Sequence, residues 1–125
     1  MKLRLYKDSL RLRLSQPEVA QFSKTGYVEE TIELGPGASL CYALETSSKV
    51  STPRVLYQNG DLRVQVSTVQ GREWATTDLV GISGEQPLSN GKHLSILIEK
   101  DFKCLHGEER DPDAFPNPLE METRP

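Results

Sequence analysis

The sequence predicts an α+β fold of about eight strands, mainly antiparallel β-hairpins, with two short helices and a sheet that is strongly curled or closed into a barrel. Three observations carry this expectation. Apolar and polar residues alternate with period two over several short stretches, the pattern of strands that bury one face. Glycine, proline and asparagine clusters separate those stretches at hairpin spacing. That many strands present edges that need hiding, and curling or closure hides them.

Residues 2–6 (KLRLY) and 9–14 (SLRLRL) alternate strictly, and Lys7-Asp8 between them suffices for a two-residue turn. Leu3, Leu5, Leu10, Leu12 and Leu14 then share the core face. Ser15 caps a helix with Pro17 and Glu18 in its first turn, Val19 and Phe22 as an apolar stripe and Gly26 as its stop. Residues 27–34 and 39–45 form the second hairpin around Gly35-Pro36-Gly37. The third is the best defined. Asn59-Gly60 supplies the positive φ angles of a type I′ turn, which pairs Tyr57 with Leu62 and Val55 with Val64.

Residues 68–77 predict a short helix, weakened by Gly71, with Trp74 as a core anchor. A last hairpin starts at Val80 and Ile82 and returns over 93–99 after a loop punctuated by Gly84, Pro87, Asn90 and Gly91. No internal repeat is evident beyond the recurrence of hairpins, and no linker separates domains. One domain is expected over 1–119, with a flexible end at 120–125.

A chain of 125 residues with 36% hydrophobic content encloses one lean core. No apolar run approaches the roughly 18 residues of a membrane helix. The opening MKLRLYKDSLRLRL lacks the apolar stretch of a signal peptide, so a cytoplasmic protein without membrane attachment is expected. In that compartment Cys41 and Cys104 stay reduced. Twelve Lys/Arg balance twelve Asp/Glu over residues 1–102, while three cations face six anions in 103–125, so the net charge of −3 sits there. That distribution argues against nucleic acid, which selects a dominant basic face.

One charge anomaly stands out. With Lys7-Asp8 as the turn, Arg4 faces Arg11 and Lys2 faces Arg13, and like charges directly opposite destabilise a strand pair. Two explanations compete. Glu29 and Glu33 share a face of 27–34 and offset the cations as a surface ladder, worth roughly 0–1 kcal/mol per pair. Alternatively Lys2, Arg4, Arg11 and Arg13 line a concavity that holds a phosphate or carboxylate, for which guanidinium is suited. The ladder is the more economical reading. The metal-holding Glu-x-Glu-x-Lys strand of the triphosphate-tunnel hydrolases is absent, since the first strand reads Lys2-Leu3-Arg4-Leu5-Tyr6.

Cys104 and His106, with Glu108, Glu109, Asp111 and Asp113 close behind, form a weak metal candidate. There is no second Cys/His pair, and structural zinc prefers sulfur and nitrogen to acids. His93, at a strand start, has no evident acid or nucleophile beside it. No phosphate loop, nucleophile elbow, metalloprotease helix or CxxC motif occurs, so no cofactor and no catalytic residue is expected. Phe115-Pro116-Asn117-Pro118-Leu119 is different: two prolines impose an extended path, and Phe115 and Leu119 add apolar bulk to an acidic stretch. This segment either docks back on the domain, shielding a sheet edge, or serves as a linear motif for a partner.

The stretches DSLRLRLSQPEV, TGYVEE, EWATTDLVGI and DFKCLHGEERDPDAFPNPL together resemble a family of small bacterial proteins that form a conserved domain of unknown function. The resemblance runs from about residue 2 to residue 119. It implies a self-contained unit of bacterial type whose C-terminal segment belongs to the fold, and it brings no activity or site residue. The leading functional expectation is a non-catalytic binding or interaction module that meets a protein partner. The alternative is a small enzyme or ligand-binding barrel acting on an anionic ligand through the basic N-terminal hairpin.

Overall fold

In the computed structural model, which describes residues 1–102, the expected elements form where the alternation and the turns place them. The first hairpin is β1 (Lys2–Tyr6) and β2 (Ser9–Leu14), followed by helix α1 (Gln16–Thr25). The second is β3 (Tyr27–Gly35) and β4 (Ala38–Ser47). Then come β5 (Arg54–Gln58), β6 (Asp61–Ser67), helix α2 (Thr68–Thr76), β7 (Gly81–Pro87) and β8 (His93–Lys100). Tyr57 pairs with Leu62 and Val55 with Val64, and Asn59 and Gly60 take φ of 50° and 78°. Ser15 and Ser67 cap the helices. The Glu18 carboxylate accepts from the Ser15 N–H and hydroxyl, both at 2.9 Å, and Ser67 Oγ accepts from the Gln70 N–H at 3.1 Å.

The barrel does not form. The strands make two open four-stranded sheets, ordered β1-β2-β8-β7 and β3-β4-β6-β5, and neither is closed or strongly curled. The hairpins are antiparallel, but each sheet is joined at its centre by a parallel pair, β2 with β8 and β4 with β6. Edges are managed locally instead. Gln86 of β7 clasps the edge of β5, accepting from the Val55 N–H at 2.6 Å and donating to the Val55 carbonyl at 3.2 Å. Pro53 lies against Gly84, where a Cβ would come within 2.8 Å of its ring.

The order of elements also shows a duplication that recurring hairpins alone did not reveal. The unit β-β-α-β-β occurs twice, and each sheet takes the first hairpin of one unit and the second hairpin of the other. The offset is constant at 52 positions through the helices: Leu10 and Leu62, Ser15 and Ser67, Phe22 and Trp74. Two residues inserted before β7 then place Val28 with Ile82 and Leu44 with Ile98. All four of these apolar pairs are buried.

The two helices follow β2 and β6 and pack on each other at one end of the sandwich. Phe22 and Trp74 meet edge to face, with ring centroids 5.8 Å apart, an arrangement that suits the ring quadrupoles. The Trp74 indole N–H, buried with the ring, donates to the Val80 carbonyl at 3.0 Å. Gly71 now has a reason. A Cβ there would lie 3.1–3.2 Å from Thr46, Phe22 and Val66, so the residue that costs helix propensity admits the close approach of α1 and β4.

At the opposite end inward-facing side chains are open to water. β5 and β7 lie edge to edge and run the same way, which brings the three tight turns at 7–8, 35–37 and 59–60 to that end. Leu5 is 66% exposed there, although it keeps the core-facing alternation expected of it. Ile32 at 51%, Leu34 at 64% and Tyr57 at 66% are likewise open on the inner sides of β3 and β5. Leu10, Leu12 and Leu14, deeper between the sheets, are buried as expected.

Trp74→Ala is expected to lower the unfolding free energy by about 3–5 kcal/mol in a urea titration, since it empties the centre of the core. Gly71→Leu should cost about 1–3 kcal/mol by overpacking. A Gly71→Leu chain as stable as the parent would refute the close approach at this position.

Candidate functional site

The basic face is real in register: Arg4 opposes Arg11 and Lys2 opposes Arg13, all on the outer side of the first sheet. What neutralises it is not what adjacency in sequence suggested. Glu99 of β8 sits beside β2 and pairs with Arg13 Nε at 2.6 Å and Arg11 Nε at 3.6 Å. Lys2 reaches Asp101 at 3.0 Å. Glu29 and Glu33, expected to do this, lie on the other sheet. There Glu29 accepts from the Tyr27 hydroxyl at 2.6 Å and from Cys41 Sγ at 3.6 Å, and Glu33 is exposed toward the end of β3. The correction follows from topology, because the neighbour of β2 comes from the far end of the described chain by parallel pairing.

The duplication explains why this acid is there. Glu45 occupies in the second sheet the place of Glu99 in the first: Glu99 lies opposite Arg13, and Glu45 opposite Gln65, the residue equivalent to Arg13. Glu45 accepts from Arg63 at 3.1 Å and from Gln65 at 2.6 Å; Arg63 and Gln65 correspond to Arg11 and Arg13. A carboxylate stapling the parallel join is thus built twice, which makes Arg11 and Arg13 parts of the scaffold. The side chains of Arg11 and Arg13 are 37% and 42% exposed, so each pair is worth only roughly 0–1 kcal/mol. Arg4 has no ion-pair partner among the described residues.

Beside Arg11 the outer face dips into a shallow trough of about 380 Å³, with Ser9, Ser83 and Ser95 in its lining and Glu85 at its margin. Small hydroxyl residues on three adjacent strands produce it. Leu10, Ile96 and Leu97 make its lining mainly apolar, the serine hydroxyls, Arg11 and Glu85 supply its polar groups, and no imidazole or thiol lines it. His93 is exposed at the start of β8. Among the described residues no group of three or more His, Cys, Asp and Glu side chains is placed to hold a metal ion. Cys104, His106, Asp111, Asp113 and the segment Phe115-Pro116-Asn117-Pro118-Leu119 lie outside the described residues. Among the described helices none is long and apolar enough to cross a membrane.

The outer face of the second sheet carries the most perturbed group. The hydrogen bond to Glu29, reinforced by burial and by the negative charge of that carboxylate, pushes the Tyr27 phenol up to about 12. Burial raises the Cys41 thiol, and the charges of Glu29 and Asp61 add to the shift, so at neutral pH it is a protonated, poorly nucleophilic thiol.

The surface that sequence reasoning missed is β3 itself. It is nine residues long, terminal in its sheet, and exposed on both sides from Glu29 to Gly35. Its counterpart β7 reaches the neighbouring edge through Gln86, whereas the equivalent position in β3 is Ile32, which cannot bridge to a backbone. The signal was present in the alternation of Glu29, Thr31 and Glu33 with Ile32 and Leu34, but a hairpin strand reads the same whether or not its outer edge is covered.

The Tyr27 assignment gives a pH prediction. Its folded value lies above the unfolded value near 10, so the stabilisation is present below pH 10 and is lost as pH rises toward 12. A spectrophotometric titration comparing the parent with Tyr27→Phe should show one phenol ionising near 12. Glu29→Gln should bring that phenol back toward 10; an unchanged titration in Glu29→Gln would remove the hydrogen bond as the cause.

The chain belongs to a family of unknown function (DUF7009), whose profile matches residues 1–119. Neither the curated proteins nor the solved structures contain a match.

Proposed function

We propose that this chain is a non-catalytic interaction module that binds a partner protein by adding a strand of that partner to the free edge of β3. The observation that carries the reading is the exposed edge itself: a long terminal strand whose outward N–H and C=O groups have no neighbouring strand among the described residues. Such an edge is a template for another strand, with main-chain hydrogen bonds giving affinity and alternate side chains giving specificity. Glu29 and Glu33 on one side, with Ile32 and Leu34 on the other, select a strand that alternates apolar and basic residues. Ile32 and Leu34, exposed on the inner side of β3, offer that strand's apolar side chains contacts out of water.

A short synthetic peptide alternating valine and lysine is the probe. It should bind the full chain with amide shifts concentrated in β3, and an Ile32→Asp/Leu34→Asp variant should bind at least about tenfold more weakly, a change of about 1.4 kcal/mol. Equal binding of a valine–glutamate peptide, or an unaffected double variant, defeats the reading. β1 of this chain has the favoured pattern, so light scattering of the chain alone tests whether a second copy is the partner.

A second reading keeps one observation in its favour. Arg4, without an ion pair among the described residues, lies opposite Arg11, and two neighbouring guanidinium groups suit a small anion. If anion binding is the function, phosphates, nucleotides or carboxylates raise the thermal midpoint, and Arg4→Ala/Arg11→Ala abolishes the shift. Under the leading reading none of these compounds moves the midpoint.

A further inference from the structure

The groove beneath α1 is distinct from the β3 edge and adjoins the end of the basic face, where Asp101 in its wall pairs with Lys2. It measures about 930 Å³ and is mainly apolar, with Pro17, Val19 and Ala20 on the helix side and Ala75 of α2 opposite. Val19 and Ala75 are half-buried, so the apolar stripe of α1 is only partly covered by the core, and Phe22 alone of that helix is buried. Lys24 and Lys100 also line the groove. Asp101 and Phe102 form its remaining wall, so the chain leaves the described fold from within this groove, with the Phe102 ring 65% exposed.

We infer that the occupant of this groove is the chain's own segment 103–119, with Phe115 and Leu119 seated against Val19, Ala20 and Ala75. Three observations point to it. The segment begins in the groove wall, so its effective concentration there is that of a short tether, and no independent partner competes easily with it. Thirteen steps separate Phe102 from Phe115, an extended reach of up to about 40 Å, ample against a ten-residue helix about 15 Å long. The charges are complementary: Glu108, Glu109, Asp111 and Asp113 lie between the exit point and Phe115, and Lys24 and Lys100 stand at the groove. The family match also continues past the described fold to residue 119, so this stretch belongs to what the family shares and residues 120–125 do not. Its proline-stiffened end, Phe115-Pro116-Asn117-Pro118-Leu119, suits such a site because little conformational freedom is lost on docking.

The test compares the full chain with one ending at Phe102 and with two full-length variants, Phe115→Ala/Leu119→Ala and Ala20→Arg. Ala20 is exposed and outside the core, so the last of these blocks the groove without disturbing the fold. In all three the amides of α1 should exchange with solvent at least about tenfold faster than in the parent, and the thermal midpoint should fall by about 5 °C. In Ala20→Arg, protease should also cut within 103–119 at least tenfold faster. Unchanged exchange and an unchanged midpoint in the two full-length variants overturn the proposal, whether or not the truncated chain folds. A full chain that is dimeric and a truncated chain that is monomeric overturn it as well, since the segment then lies in the groove of a second copy. These readouts are independent of β3, so they stand or fall apart from the strand-addition reading.

Discussion

The contact between Phe22 and Trp74 is the constraint on which the arrangement of the molecule depends. Each ring belongs to one copy of a repeated β-β-α-β-β unit and occupies the same position in it. Where they meet edge to face, the two helices close one end of the core. Each unit lends one hairpin to each sheet, so neither unit has a complete sheet of its own. The parallel joins of β2 with β8 and β4 with β6 exist only once both units are present. Holding the helices together therefore also holds the sheets in register. Gly71 serves that contact directly, because a side chain there would push α2 away from Phe22 and Val66.

Symmetry also separates what is structural from what is available for function. Features built twice are scaffold: the helix caps at Ser15 and Ser67, the acid staples at Glu99 and Glu45, and the apolar ladders on β2 and β6. Features present once are where the copies have diverged. Gln86 clasps a backbone edge across one seam between the sheets, whereas Ile32 in the equivalent place makes no such bridge and that seam is joined only near Met1, which pairs with Glu30 and accepts from Tyr42, among the described residues. Arg4 likewise stands where the other unit has Leu56, so at this position only the first sheet carries a cation, one without an ion pair among the described residues. The two functional readings rest on these asymmetries, with β3 favoured because its edge presents a row of backbone donors and acceptors that templates a strand, against one solvated guanidinium.

Legibility followed the range of the interactions. The hairpins at 7–8 and 59–60 and the cross-strand partners of Arg4 and Lys2 were all readable, because turn chemistry and a period of two act over a few residues. The identity of the acid beside Arg11 and Arg13 was not readable. Glu29 is close in sequence and carries the right charge, but Glu99 reaches β2 through a parallel pairing across more than eighty residues, which no local pattern encodes. Leu5 shows the same limit. Its alternation marks the inner side of β1 correctly, and only the tertiary arrangement leaves this side open to water at its tip.

By itself, then, the sequence determined the strands, the helices, their caps and turns, and the side of each strand that faces inward, since these follow from backbone preferences and short-range burial. Tertiary structure alone decided that the strands divide into two open sheets rather than a barrel, that a repeat underlies them, and which strands stand at the sheet edges. The physical reason is that alternation records which face of a strand seeks cover and says nothing about which neighbour supplies it. That choice is made by contacts between distant segments, and it leaves no periodic trace.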